Sequence, residues 1–177
     1  MRIGIAAYPY DKGQSGLWQY IYNLIKYITD IDDKNSYFIF TPKKFDFQKK
    51  NVVQVIGSSG ESKSPLFNTL WFQIIFPFYA KKYQLDVLHL TAGNRRLVLF
   101  KPCPIIATIH DLSQFHIKNK YGFLRDFYVK KFLPLLIQKA DNLIAISENT
   151  KNDLIKYWKI ADKPIKVIPN GIAINQY

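Results

Sequence analysis

The stretch Asn142–Ile168, NLIAISENTKNDLIKYWKIADKPIKVI, holds two apolar segments separated by a segment of helical character. The first apolar segment runs from Asn142 to Ile146, the helical segment from Glu148 to Trp158, and the second apolar segment from Ile165 to Ile168. Two apolar strands joined by a helix are typical of a β-α-β unit, in which the strands lie parallel.

The same alternation of strand and helix runs through the rest of the chain. Helical segments are predicted from Gly16 to about Thr29, from Pro65 to about Tyr83 with a break or kink at Pro77, and from about Gly122 to Lys139. Strands are predicted at Ile3–Ala7, Tyr37–Thr41, Val52–Ile56, Asp86–Leu90 and Ile105–Ile109. Continuously apolar strands alternating with helices predict an α/β fold with a doubly wound, Rossmann-like parallel sheet.

Composition limits the class of protein and its surroundings. The chain has 177 residues, 48% of them hydrophobic, which suffices for one buried core. Its net charge of +12 predicts an anionic partner, such as phosphorylated ligands or an acidic membrane face. Cys103 is the single cysteine, so the sequence predicts no internal disulfide and a reducing cytoplasm. The first residues enter a strand without a signal peptide, and no apolar run reaches the roughly 18 residues that span a bilayer.

Ligands of such sheets bind at the carboxyl ends of the strands, so the residues after each strand are the candidates for a site. The loop Asp11–Gly16 contains Gly13, Ser15 and Gly16 and opens a helix, where glycines permit close approach and the helix N-terminus favours an anion. A plain tight turn is the alternative reading of this loop. Tyr8 follows the first strand at the same edge.

His110 and Asp111 follow the strand Ile105–Ile109 directly. A histidine there can hydrogen-bond a substrate hydroxyl or phosphate, and Asp111 can orient it, although a structural histidine is an equal alternative. His89 lies inside a strand and is interpreted as a structural residue.

No metal site is predicted. Neither His116 nor Cys103 shows metal-ligand spacing with another residue. Asp30 and Asp32 form an Asp-x-Asp pair, but they end a helix and are expected to be a solvated helix terminus. No nucleic-acid-binding signature accompanies the positive charge, so nucleic acid is not an expected partner.

Two segments combine aromatic and basic residues, PLFNTLWFQIIFPFYAKKYQ and KNKYGFLRDFYVKKFLPLLIQK. Burial against the sheet is the simplest role for their apolar residues. The alternative is a surface that rests on anionic lipid, with Trp71, Arg125, Lys130 and Lys131 as the candidate contacts.

The segment ADNLIAISENTKNDLIKYWKIADKPIKVIPNGI resembles the end of the N-terminal domain of family 4 glycosyltransferases, which are retaining enzymes of the GT-B fold. Ala-Asp, a strand, Ser-Glu-x-Thr-Lys, a helix and Pro-Asn-Gly follow there in this order. DVLHL, TIHDLS and the helix at Gly16 also occur in the family's order. One departure is that the nearest subgroup often reads Gly-x-Gly-Arg-Tyr where this chain reads Gly16-Leu-Trp18-Gln19-Tyr20.

The resemblance implies sugar transfer from a nucleotide-sugar donor, with retention and with no metal or other cofactor. It implies that Gly16, with Gly13 and Ser15, faces the donor phosphates and that His110 lies near the transferred sugar. Arg95, Arg96, Asp111 and Tyr8 are the candidate contacts to a lipid-linked or surface-polysaccharide acceptor. An enzyme of this kind is expected in the cytoplasm, peripheral on the inner face of the cell membrane.

The resemblance also predicts the domain organisation. Residues 1–168 correspond to the acceptor-side Rossmann-like domain and residues 169–177 to the start of a linker, while the C-terminal donor-binding domain is absent, so this domain alone is expected to be inactive. Two alternatives remain at this point. One is half of a sugar-nucleotide epimerase, and the other is a non-catalytic lipid- or glycan-binding module that kept the fold.

Overall fold

The computed structural model describes residues 1–8, 15–46, 48–56, 71–94, 97–117 and 126–171. Within these residues, parallel strands form one seven-stranded sheet in the order β3-β2-β1-β4-β5-β6-β7. The strands are β1 (Arg2–Ala6), β2 (Ser36–Thr41), β3 (Val52–Ile56), β4 (Val87–Leu90), β5 (Ile105–Ile109), β6 (Asn142–Ala145) and β7 (Ile165–Val167). The predicted α/β fold is confirmed, and each strand differs from its predicted bounds by at most one residue at either end.

The order of the strands places β1 beside β4, next to the point where the strand order reverses. Successive residues of β1 point to opposite faces, so Ile5 joins the core cluster on one face and Ala6 the cluster on the other. Both side chains are buried. The short, continuously apolar character of this strand reflects cover on both of its faces.

Helix α1 (Gly16–Ile31) packs on one face of the sheet through Ile21 and Ile25, both of which are fully buried. Ser15 caps its first turn, because the hydroxyl oxygen accepts a hydrogen bond from the Trp18 backbone N–H at 3.2 Å. The helix extends two residues beyond the predicted end at Thr29. Among the described residues, α1 is the only helix in the core cluster on this face.

The remaining described helices contribute to the core cluster on the opposite face. They are α2 (Phe76–Lys82), α3 (Leu133–Ile137) and α4 (Glu148–Trp158). The predicted bounds of α4 are confirmed. The predicted segments at 65–70 and 122–125 lie outside the described residues.

Both α2 and α3 are preceded by a π-helical turn, at Trp71–Ile75 and Tyr128–Phe132 respectively. Each α-helix then carries a proline in its first turn, Pro77 in α2 and Pro134 in α3. A proline has no N–H to donate, and its ring crowds the carbonyl four residues earlier. A wider turn at that point relieves the crowding, so the helix is not divided at Pro77, where the sequence predicts a break or a kink.

Among the residues that the structure describes, none of the helices combines the length and the apolar character that crossing a membrane requires.

The packing of α1 gives a direct test of this architecture. Replacing Ile25 with alanine removes buried methyl groups and leaves a cavity, so we expect the free energy of unfolding to fall by about 2–5 kcal/mol. Ile31 lies at the end of the same helix and is 84% exposed. Ile31→Ala should therefore change the free energy of unfolding by less than about 0.5 kcal/mol. Urea denaturation of the two variants measures both values. Equal losses would mean that α1 does not pack on the sheet through Ile25.

Candidate functional site

His110 lies one residue beyond β5, where three neighbouring elements hold it. Its Nε2 lies 2.8 Å from the backbone oxygen of Thr91, which follows β4. A carbonyl can only accept, so this nitrogen carries the hydrogen. The imidazole packs edge-on against the Tyr20 ring of α1 with 4.7 Å between centroids, and the His110 carbonyl accepts from the Thr150 hydroxyl of α4 at 3.1 Å. These contacts fix both the ring and the backbone.

A second histidine, His89, lies close to His110. His89 of β4 and Thr108 of β5 share the α1 side of the sheet, because they alternate with residues of the opposite cluster. His89 Nε2 lies 2.8 Å from Thr108 Oγ1, and the Tyr20 hydroxyl lies 3.3 Å from the same oxygen. Thr108 therefore connects β4 to the first turns of α1.

Burial sets the charge of this cluster. Burial, and to a smaller extent the neighbouring His110, lowers the pKa of His89 to about 4. Burial also raises the pKa of Tyr20, although the Thr108 hydrogen bond partly offsets this effect. At neutral pH both side chains are uncharged, so the cluster offers hydrogen bonds rather than charge.

The N-terminus of α1 lies at the same edge. Gly16 is exposed, and a Cβ built on it would meet no atom within 4 Å. The fold alone therefore does not require glycine at this position. Trp18, which departs from the family pattern, points into the core and stacks on Phe45 at 5.2 Å. Gly13 lies outside the described residues.

Of the predicted acceptor contacts that the structure describes, Asp111 lies at the edge and Tyr8 in the core. Asp111 is exposed, and its carboxylate accepts from the Ser113 backbone N–H at 2.9 Å. Asn94 donates from Nδ2 to the Asp111 backbone oxygen at 3.3 Å. The structure places the Tyr8 side chain in the core, edge-on against Phe72, with 2% of its surface exposed. Arg95 and Arg96 lie outside the described residues.

A cavity of about 610 Å³ runs along α1. Gly16, Gln19 and Tyr20 line it near the start of the helix, together with His89 from the sheet, and Ile31 lines it at the other end. The segment Pro169–Gly171, after β7, also lines the cavity. Gly16 and the Pro-Asn-Gly segment therefore face one space.

Of the four predicted membrane contacts, the structure describes the side chains of Lys130 and Lys131. Lys130 and Lys131 are exposed in the π-helical turn Tyr128–Phe132, and Lys130 pairs with Asp126 at 3.1 Å. Trp71 begins the other π-helical turn, but its side chain is not among the described features. Arg125 lies outside the described residues.

The Asp-x-Asp pair has structural partners. Asp32 follows α1 and accepts hydrogen bonds from the Asn35 amide at 2.6 Å and the Tyr37 hydroxyl at 2.7 Å, which hold its pKa below the usual range. Asp30 pairs with Lys49. Within the described ranges, no cluster of three or more His, Cys, Asp or Glu side chains could hold a metal ion.

Sequence reasoning missed Tyr20, Thr108 and Asn94. Asn94 is buried, and its Oδ1 has no hydrogen-bond partner, while its Nδ2 holds the backbone of Asp111. The signal for Tyr20 and Thr108 was present, since α1 begins beside the carboxyl end of a parallel sheet. Which helix residue contacts which strand residue depends on helix rotation, and one sequence does not determine it.

The low pKa of His89 predicts a pH dependence of stability. In the unfolded chain this ring has a pKa near 6.5, so between about pH 6.5 and pH 4 the unfolded state binds more protons. The stabilisation is complete above pH 6.5 and is lost as the pH falls towards 4, by roughly 1–3 kcal/mol. In His89→Gln, which keeps an N–H beside Thr108, this contribution should be absent. Urea denaturation from pH 7 to pH 4 measures the difference, and identical slopes in both proteins would contradict the prediction.

The sequence was compared with protein families and with curated proteins. Residues 14–176 match the model of Glycosyltransferase Family 4. A curated relative, the O-antigen chain mannosyltransferase RfbU of Salmonella typhimurium (strain LT2), is 22% identical over 171 residues, which cover 91% of this chain and 46% of that protein. The chain thus spans less than half the length of this relative.

Among solved structures, a glycosyltransferase from Rickettsia africae ESF-5 is similar in fold, with a TM-score of 0.55 and 18% sequence identity. The alignment covers 97% of this chain and 43% of that one. The match to the family extends from the loop before α1 to the residues after β7, and so includes every strand beyond β1. The chain therefore belongs to Glycosyltransferase Family 4.

Proposed function

We propose that this chain is the acceptor-side domain of an enzyme that transfers a hexose-type sugar from a nucleotide-sugar donor to a lipid-linked or surface-polysaccharide acceptor. The observation that carries the proposal is the convergence of the α1 N-terminus and His110 at one edge of the sheet, within a chain of this family. A second domain closes over this edge and supplies most contacts to the donor. Transfer proceeds with retention and without a metal or other cofactor.

The N-terminus of α1 faces the donor diphosphate in this proposal. The first N–H groups of a helix have no partner within the helix, and the helix dipole favours negative charge beside them. Ser15 Oγ accepts from Trp18, and the backbone around Gly16 lies against open space. The packing of the fold does not require glycine at position 16. This supports the proposal that the missing side chain lets the ligand come close to the backbone.

His110 contacts the transferred sugar. The Thr91 carbonyl receives the hydrogen of Nε2, and the edge-on contact with Tyr20 orients the ring. In the transition state the departing diphosphate gains negative charge and the sugar gains positive charge, so groups held rigidly in the cleft stabilise it without reorganising. The ring's fixed orientation is what this role requires.

The acceptor lies beside the loop after β4. Asp111 is exposed there, and Asn94 holds the Asp111 backbone oxygen through a hydrogen bond from Nδ2 at 3.3 Å. Arg95 and Arg96 are adjacent to Asn94 in sequence and are proposed as contacts to a phosphate of a lipid-linked acceptor. Such an acceptor places the enzyme on the inner face of the cell membrane, as a peripheral protein.

Gly16→Ala tests the proposed phosphate contact. Alanine is a better helix former than glycine, so we expect the free energy of unfolding to stay equal or rise by up to about 1 kcal/mol. The added methyl group blocks close approach of the diphosphate, so the KM for the nucleotide-sugar should rise about tenfold, the equivalent of one lost interaction. Steady-state kinetics of the full-length enzyme and urea denaturation give the two readings. An unchanged KM would contradict the phosphate contact.

His110→Gln tests the proposed sugar contact. Glutamine keeps an N–H near the Thr91 carbonyl but removes the imidazole, so we expect kcat to fall by about 100-fold with little change in stability. His116→Gln is the matched control, because His116 is an exposed histidine that pairs with Asp153 at 2.6 Å. Its kcat should change less than about threefold. Equal kcat values in the two variants would exclude His110 from the reaction.

A further inference from the structure

The backbone of His110 is held by the first turn of α4. At the end of β5, the Ile109 oxygen accepts a hydrogen bond from the backbone N–H of Ile146, which follows β6, at 3.4 Å. The next carbonyl along the chain is that of His110, and it accepts from the side-chain hydroxyl of Thr150 at 3.1 Å. A helix residue therefore bonds the peptide of the residue that is proposed to contact the sugar.

Ser147 and Thr150 are joined by two hydrogen bonds whose directions follow from their partners. The Thr150 backbone N–H donates to Ser147 Oγ at 3.1 Å, which caps α4. The two hydroxyl oxygens lie 3.0 Å apart. The His110 carbonyl has no hydrogen to give, so the single hydroxyl hydrogen of Thr150 points to it, and the Ser147 hydroxyl donates to Thr150. Both hydroxyl groups thus contribute to holding the His110 backbone.

Helix formation alone does not explain a threonine at position 150. Threonine is a weak helix former. A capping box would place glutamate or glutamine three residues after the serine cap, where the side chain returns to the backbone N–H of the cap. Thr150 is instead 4% exposed and directs its hydroxyl to the end of β5. Its side chain therefore stabilises the strand end rather than its own helix.

Helix α4 is a firm support for this contact. Leu154 and Trp158, one and two turns after Thr150, are buried in the core cluster. Movement of the helix would expose their apolar surface to water, which is unfavourable. The first turn of α4 therefore keeps its position relative to β5.

The His110 ring is anchored at a separate point. The Thr91 carbonyl accepts from its Nε2 at 2.8 Å, and the Thr91 hydroxyl donates to the backbone oxygen of Ala6 in β1 at 2.5 Å. Two threonines thus hold this residue, Thr91 at the ring and Thr150 at the backbone. A change at either point turns the imidazole relative to the edge of the sheet.

We propose that Thr150, together with Ser147, is a positioning residue that keeps the His110 peptide in the orientation required for sugar transfer. Reacting groups must be held closely, since a displacement of about 1 Å can lower a rate about 100-fold. The inference rests on the proposed function for the part that His110 plays in transfer. The holding of the His110 peptide by Thr150 does not depend on it.

Thr150→Val keeps the shape of the side chain and removes its hydroxyl. In the full-length enzyme we expect kcat to fall about tenfold and the KM for the nucleotide-sugar to change less than about threefold, because the ring is displaced while the phosphate contacts remain. Thr150→Ser keeps the hydroxyl, so its kcat should stay within about threefold of the unsubstituted enzyme. Equal kcat values in the two variants, measured by steady-state kinetics, would overturn the proposal.

Thr29 provides a matched control near the C-terminal end of α1. It is 5% exposed, and its hydroxyl donates to the Ile25 backbone oxygen at 2.8 Å. Thr29→Val therefore removes the same kind of buried bond, but it should change kcat less than about twofold. Equal kcat losses in Thr29→Val and Thr150→Val would indicate general destabilisation and contradict the proposal. If Thr150→Val does not fold, Thr150→Ala replaces it in this comparison, since alanine favours the helix.

A double-mutant cycle tests whether Thr150 acts through His110. In the His110→Gln enzyme, Thr150→Val should lower kcat further by less than about twofold, because the imidazole that it positions is gone. A further loss of about tenfold would mean that Thr150 affects the reaction by another route, and the proposal would be wrong.

Proton NMR gives a reading that does not depend on sugar transfer. The His110 ring lies edge-on against the Tyr20 ring at 4.7 Å, so the shifts of its protons depend on its position. These signals are the ones that disappear in His110→Gln. Thr150→Val should move them and Thr29→Val should not.

The NMR and kinetic results separate this inference from the proposed function. Unchanged His110 signals in Thr150→Val would refute the inference, whatever the effect of His110→Gln on kcat. Changed signals in an enzyme that keeps its full kcat after His110→Gln would support positioning by Thr150 and refute the proposed sugar contact instead.

Discussion

The packing of α1 across the first strands of the sheet fixes the position of the residues at the carboxyl edge. Ile21 and Ile25 are fully buried against the sheet, so the helix cannot rotate without exposing them. This orientation of α1 about its axis places the Tyr20 side chain over Thr108 and against the His110 ring. It also brings Gly16 to the cavity. The burial of apolar side chains on one face of α1 thus determines where Gly16 and Tyr20, near its N-terminus, lie relative to His110.

The sequence was sufficient for most of the fold. Val52–Ile56, Ile105–Ile109 and α4 were predicted to the residue, because polar or turn-forming residues bound each periodic segment. The end of α1 was predicted two residues early, since Asp32 completes the helix through its backbone N–H to Ile28 and its side chain to Tyr37. The π-helical turns were not predictable. They are local responses to a proline in the next turn, where propensity alone indicates a break or a kink.

The candidate site was predictable only in part. Ser15 as a cap and the place of His110 after β5 follow from their order in the chain. Tyr8 was predicted at the edge, but the alternation of faces continues beyond β1, so Ala7 points towards α1 and Tyr8 towards the opposite core. The cluster of His89, Thr108 and Tyr20 joins three elements that are distant in sequence. No pattern of spacing encodes a contact of that kind.

The Thr108 hydroxyl has one hydrogen but two neighbours, His89 Nε2 and the Tyr20 oxygen. If the neutral imidazole keeps its hydrogen on Nδ1, Thr108 must donate to Nε2, and the phenol must then donate to Thr108. If the hydrogen sits on Nε2, Thr108 can turn its own hydrogen towards the phenol, whose hydrogen then points elsewhere. A tautomeric change on the His89 ring thereby reverses the direction of the hydrogen bond between Thr108 and Tyr20, a residue that lines the cavity, without moving any heavy atom.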